Sequence, residues 1–222
     1  MVGKRSKTVQ LKTAKGRTAS SQRWLRRQLN DPYVQEAQGL GYRSRSAFKL
    51  LQLDEKFKFL YKGQRVVDLG AAPGGWCQVA ANRVLTEKTG NIVGLDLLPM
   101  DPIPGVNLLQ TDFMSQEGLS ELMKILTDKV DLVISDMAAS TTGHAPTDHI
   151  RTAGLCEAAF DFAIDVLARD GVFLAKVFKG GSEHTLLARM KNTFKTVKHA
   201  KPNASRSESP ETYVVAQGFR TS

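Results

Sequence analysis

The sequence predicts an α/β fold built on a mainly parallel, doubly wound sheet. Three observations carry this. Short apolar runs, of which Arg65–Leu69 (RVVDL) and Val130–Ser135 (VDLVIS) are the clearest, recur with helical patterns between them. The first run ends in a small-residue turn, Gly70-Ala71-Ala72-Pro73-Gly74-Gly75, from which a helical pattern starts. The last two runs, Phe194–Ala200 and Thr212–Gln217, have no helix between them. Alternating strands and helices imply right-handed βαβ units and a parallel sheet. Two strands joined without a crossover helix are expected to be antiparallel neighbours. The 222 residues suffice for one domain with a substantial core, and no apolar stretch reaches the length of a membrane-spanning helix.

Taken in order, residues 1–20 are Ser, Thr, Lys and Gly without apolar period, which predicts a basic, disordered arm ahead of a single domain over 21–222. Helical spacing covers 21–38 and 44–58; in the second, Ala47, Leu50, Leu51, Leu53 and Phe57 form an apolar stripe. Strands are expected at 65–69, 92–97, 106–110, 130–135, 172–177, 194–200 and 212–217, seven in all. Helices are expected at 75–85, 115–126, 147–168 and 182–192. Arg169-Asp170-Gly171 would close the third of these, and Ser182 with Glu183 suits the start of the last.

The net charge of +9 sits in the first 30 residues, which hold nine Lys or Arg and no acid; the rest of the chain balances 22 bases with 22 acids. Such a segment suits phosphate neutralisation on a nucleic acid. A solvated tail or a mitochondrial presequence has the same composition. In the body, residues 42–65 and 184–207 are basic, whereas 96–170 hold thirteen acids and four bases. Cys77 and Cys156 are too few for a disulfide framework or a zinc site, and the N-terminus lacks the apolar core of a secretory signal. A reducing, cytoplasmic setting is expected.

The strongest motif runs from Val66 to Trp76. A buried strand, then a glycine-rich turn, then a helix is where a doubly wound sheet lays a nucleotide-like ligand across its strand ends. Gly70, Gly74 and Gly75 would let the backbone approach that ligand. The spacing is not G-x-G-x-x-G and Pro73 interrupts it, so an adenosyl ligand other than a dinucleotide is favoured. Asp96 closes the second strand, where an acid can hold ribose hydroxyls. Asp112 follows the third strand, placed to accept from an adenine amino group, with Phe113 against the ring. Asp136 ends the fourth strand. Lys176 lies in the apolar VFLAKVF, where it must be paired or have its pKa lowered.

Asp68–Trp76 (DLGAAPGGW), Asp96–Pro102 (DLLPMDP), Ser135–Ala138 (SDMA) and Ala175-Lys176-Val177 together resemble the FtsJ family of ribose 2′-O-methyltransferases, over about Trp24 to Gly218. The resemblance is strongest to bacterial members acting on a uridine ribose in 23S rRNA. It implies a Rossmann-like methyltransferase fold with strand order 3-2-1-4-5-7-6, the last strand antiparallel, and helices on both faces. It implies S-adenosylmethionine as cofactor, held by Gly70, Gly74, Gly75, Trp76, Asp96, Asp112, Phe113 and Asp136. It also implies a catalytic set of Lys49 (in RSAFKL), Asp136, Lys176 and Glu211 (in SPETY), with Lys176 as proton acceptor and no metal. Burial and Lys49 would lower the Lys176 pKa while the two carboxylates would raise it, and the sequence leaves the sign open. The expected partner is 23S rRNA, with the protein a monomer away from membranes. A tRNA or other RNA target, or a catalytically silent assembly factor, stays open. Family members commonly read Asp-Met-Ala-Pro-Asn after strand four; this chain reads Asp136-Met137-Ala138-Ala139-Ser140.

Overall fold

Thr18 opens the first helix, its hydroxyl accepting the Ser21 amide at 3.2 Å, and α1 runs Ala19–Leu29. The computed structural model describes residues 9, 16, 18–86, 91–140, 142–178 and 183–221. The expected arm over 1–20 lies almost entirely outside these residues. The helix expected over 21–38 is two helices. Asp31 caps α2 (Pro32–Leu40), its Oδ1 accepting the Tyr33 amide at 3.0 Å. Asp-Pro is a strong start signal, because proline tolerates the first turn where an amide has no partner. Apolar periodicity alone hid the break. Gly41, at φ +75°, ends α2.

The remaining elements are α3 (Ala47–Phe57), β1 (Arg65–Leu69), α4 (Gly75–Val84), β2 (Asn91–Asp96), β3 (Val106–Gln110), α5 (Gln116–Ile125), β4 (Val130–Ser135), α6 (Ala145–Val166), β5 (Leu167–Phe178), α7 (Glu183–Thr193), β6 (Phe194–Ala200) and β7 (Glu211–Phe219). Of the start expected at Ser182 and Glu183, Ser182 falls outside the described residues and α7 begins at Glu183. The seven strands lie in the order β3-β2-β1-β4-β5-β7-β6. The first five pair in parallel, and β7 runs antiparallel between β5 and β6. The fold is therefore the methyltransferase-type sheet that the resemblance implied.

The boundary between α6 and β5 differs most. The Arg169-Asp170-Gly171 stop expected for α6 lies within β5. Val130 pairs with Leu167 and Leu132 with Val172, so the strand carries extra residues there as a bulge. Asp170 takes a left-handed φ of +65°, and a Cβ on Gly171 would stand 2.8 Å from the Ala168 carbonyl oxygen.

Alternation along the strands separates two cores. Val67, Leu69, Val133, Phe173 and Val214 pack with Leu122, Phe160 and Met190 of α5, α6 and α7. Val66, Leu132, Ile134, Leu174 and Val215 pack with Leu50 of α3 and Val79 of α4. Each such side chain withdrawn from water contributes about 1.5–3 kcal/mol before conformational entropy is counted. Both faces being covered, the C-terminal ends of the parallel strands are left as the place for a site.

Candidate active site

At the end of β1, Gly70 turns the chain at φ +77°, and a Cβ there would come within 2.5 Å of Met137 Cγ. Only glycine lets the turns after β1 and β4 approach this closely. Asp96, at the end of β2, uses both carboxylate oxygens: Oδ2 accepts the Ala72 amide and Oδ1 the Leu98 amide, each at 2.9 Å. Each oxygen keeps a second lone pair. Asp112, after β3, accepts the Met114 amide at 2.8 Å. Phe113 is nearly buried and stands edge-on to Phe162, with centroids 5.6 Å apart.

These groups line a cleft of about 790 Å³, together with Gly70, Ala72 and Asp136. Leu97, Leu98 and Met114 border it with exposed apolar surface. That volume suits a nucleoside-sized ligand. Acceptors for a ribose diol at Asp96, an acceptor for an exocyclic amine at Asp112 and an apolar rim between them fit an adenosyl group. The residues present therefore fit S-adenosylmethionine.

Gly74, Gly75 and Trp76, expected on the cofactor, do not line this cleft. The Trp76 indole is turned into the core, its Nε1 donating to the Ser46 carbonyl at 2.8 Å and its ring 5.8 Å from Tyr213. A Cβ on Gly74, at φ +107°, would stand 2.9 Å from Arg43 Nη1, and one on Gly75 would meet the Ser44 hydroxyl. These glycines admit the close approach of residues 43–46. Arg43 then donates to the carbonyls of Pro73, Asp101 and Pro102 at 3.3, 2.7 and 2.9 Å, tying the turn after β1 to the loop after β2. A motif seen in one dimension cannot distinguish a glycine kept for a ligand from one kept for a neighbouring chain segment.

Lys49, Asp136, Lys176 and Glu211 do meet. Lys176 Nζ lies 2.8 Å from Asp136 Oδ1 and 3.6 Å from Glu211 Oε2, and it donates to the Asp136 carbonyl at 2.7 Å. Lys49 Nζ lies 2.8 Å from Glu211 Oε1, 2.9 Å from Oε2 and 3.7 Å from Asp136 Oδ2. Antiparallel pairing makes this possible: Phe178 pairs with Glu211 and Lys176 with Tyr213, so the start of β7 lies beside the end of β5. Tyr213 is a member that the sequence reading missed. Its hydroxyl donates to Asp136 Oδ1 at 2.6 Å and accepts from Lys49 at 3.0 Å. The available signal was its position two residues beyond Glu211 on the same strand face.

The electrostatics follow from burial and pairing. Burial alone pulls the Lys176 pKa down, but Asp136 and Glu211 outweigh it, leaving the ammonium above its ordinary value. Burial pushes Asp136 up, yet Lys176 and Lys49 bring it below the usual carboxylate range. Glu211 is lowered the same way, burial being overcome by Lys49 and then Lys176. On the sign that the sequence left open, the two carboxylates outweigh burial and favour the Lys176 ammonium. Beneath the cleft, Asp68 is pushed up to about 7 by burial, with Cys77 Sγ donating to Oδ2 at 3.2 Å and Oδ1 buried without a partner among the described residues.

His144 and His149 take no part. His144 Nδ1 lies 2.8 Å from the Thr147 hydroxyl, and the His149 ring packs 6.0 Å from Phe178. Asp148, between them, accepts from both the amide and the hydroxyl of Thr142. Among the described residues, no group of three or more His, Cys, Asp or Glu could hold a metal ion.

Residues 42–219 match the FtsJ-like methyltransferase family. A relative from Parvibaculum lavamentivorans named Ribosomal RNA large subunit methyltransferase E is 54% identical over 98% of this chain and 89% of its own length. One of the same name from Novosphingobium aromaticivorans is 59% identical over 95% of this chain and 93% of its own. Among solved structures, a Plasmodium falciparum chain described as a ribosomal RNA methyltransferase superposes with a TM-score of 0.71 at 32% identity, covering 80% of this chain and 98% of that one. A glycine-turned adenosyl cleft bordered by a Lys-Asp-Lys-Glu cluster, together with these likenesses of sequence and fold, leads to one conclusion: the chain belongs to the FtsJ-like methyltransferase family, enzymes that use S-adenosylmethionine.

Proposed function

We propose that this protein methylates the ribose 2′-hydroxyl of a uridine in 23S rRNA of the large ribosomal subunit, acting as a cytoplasmic monomer. The observation that carries the reading is Asp136, which lines the adenosyl cleft and is paired with Lys176 and Lys49. One residue thus joins the place of the methyl donor to the place of the proton. The names of the relatives and the nine bases in the first 30 residues support an rRNA substrate.

S-Adenosylmethionine, when bound, supplies an electrophilic methyl group. Asp96 would hold its ribose, Asp112 and Phe113 its adenine. Lys176 is the proton acceptor of this reading. Two of its three N–H bonds have close acceptors, the Asp136 carboxylate and carbonyl, and the third has Glu211 at 3.6 Å. That third direction suits a 2′-oxygen. Because the resting Lys176 is an ammonium, it must lose a proton before it can take the one from the 2′-hydroxyl. Lys49 and Tyr213 fix the two carboxylates, and alignment of the reacting oxygen contributes several kcal/mol beyond the proton transfer.

The test is methyl transfer from labelled S-adenosylmethionine to large subunits from cells lacking the protein, with the label mapped to a nucleotide. Label on one 23S uridine ribose is expected. Label on tRNA alone, or no transfer from cofactor-loaded protein, would overturn the reading.

A further inference from the structure

Glu211 follows residues 201–210, a segment between β6 and β7 that forms neither helix nor strand. Ala204 and Ser205 in it are nonetheless buried. Buried irregular backbone needs partners, and Ala204 has two. Its amide donates to Gln52 Oε1 at 2.8 Å, and its carbonyl accepts Arg45 Nη2 at 2.6 Å. Arg45 precedes α3 and Gln52 lies on it, three residues past Lys49. Arg45 Nε also stands 3.0 Å from Asp31 Oδ2, and Arg206 Nη2 stands 3.8 Å from the same oxygen. Asp31, itself buried, is the cap that starts α2. Ser205 sits between these two fixed neighbours. Its hydroxyl donates to Glu211 Oε1 at 2.7 Å, the oxygen that Lys49 also approaches.

We infer that Ser205 is a positioning residue for Glu211, and that the Asp31–Arg45–Arg206 ion cluster fixes Ser205, so that the seating of helix α2 sets the geometry of the Lys49–Glu211 pair. This rests on the methyl-transfer reading above. The physical reason is the freedom of a carboxylate to rotate between two cations. With Ser205 and Lys49 both on Oε1, the group is held toward Lys49. Without the hydroxyl, nothing but Lys49 opposes its rotation toward Lys176, which would then keep its proton more tightly.

The experiment is a double-mutant cycle on the full chain with Ser205→Ala and Glu211→Gln. Ser205→Ala is expected to lower kcat roughly tenfold, the usual scale for a hydrogen bond to a charged group. The KM for S-adenosylmethionine should not move, and the alkaline limb of the pH–rate profile should shift to higher pH. Ser205→Thr, which keeps the hydroxyl, should recover most of the loss. Asp31→Asn, which retains the helix cap but removes the charge, should lower kcat and be non-additive with Ser205→Ala. In Glu211→Gln the further loss of the Ser205 hydroxyl should cost nothing. Multiplying effects would overturn the inference. Should the wild type transfer no methyl group, the function fails separately, and the cycle is read by melting. Each variant should lower Tm by about 2–4 °C and the double variant no more than the larger single change; additive falls would again overturn the inference.

Discussion

Lys176 sits under two opposing pressures, burial against a pair of carboxylates, and its chemistry depends on which is relaxed. As proton acceptor it must be neutral, so kcat/KM should rise with pH, with unit slope on a logarithmic plot, through the neutral and alkaline range. Glu211→Gln removes one anion, destabilises the ammonium and should move that limb toward lower pH; a limb that stays in place would separate Glu211 from the proton. Lys176→Ala should slow transfer by about 10²–10⁴ with cofactor affinity intact, read by single-turnover assay beside calorimetric titration. Asp68 offers an independent test. Its folded pKa of about 7 lies above the ordinary value of 3.8, so the fold prefers the protonated form. Its contribution is fully present below pH 3.8 and is lost as pH rises through about 7, amounting to about 4 kcal/mol over that window. Asp68→Asn should therefore flatten the fall in Tm between about pH 4 and 7. A variant that loses as much as the wild type would show that Asp68 is not the group responsible.

At the scale of elements, the turn after β1 and the caps of β2 and β3 define the cleft. Gly70→Ala would force a side chain into φ +77° and against Met137, at about 1–3 kcal/mol. Asp96→Ala removes an acceptor and frees the Ala72 and Leu98 amides; calorimetry should show S-adenosylmethionine binding at least tenfold weaker. All seven strands were legible in the sequence, because each contains a short apolar run bounded by turn residues or helical patterns. The bulge at 168–171 was not, since Arg169-Asp170-Gly171 is polar and reads as the end of a helix rather than as part of a strand. Nor was the break at Asp31, where a cap overrides periodicity. In the site, Lys49, Asp136, Lys176 and Glu211 were legible because they lie in long motifs. Tyr213 and Ser205 were not, because a hydroxyl that bridges two charged groups is visible only once the strands are paired. The orientation of Trp76 was equally hidden: it lies within the motif, but its indole faces Ser46 and Tyr213.

At the scale of the molecule, the charge excess and the site are separate in sequence. Six of the nine bases in the first 30 residues precede Thr18: Lys4, Arg5, Lys7, Lys12, Lys15 and Arg17. Replacing them with Gln should weaken rRNA binding and flatten its dependence on salt by at most about 0.9 per charge in the log–log slope, measured by filter binding over a salt series. An unchanged slope would show that these bases touch no phosphate. The order of the strands bears on how the enzyme comes into being. β7, the last of the seven strands in chain order, is an interior strand that enters between β5 and β6 and brings in both Glu211 and Tyr213. The adenosyl cleft needs nothing beyond residue 155. On the ribosome, a growing chain therefore has every residue of the donor cleft, with Lys49 and Asp136, before it has Lys176, Glu211 and Tyr213, and the reaction centre closes only when β7 slots in beside β5.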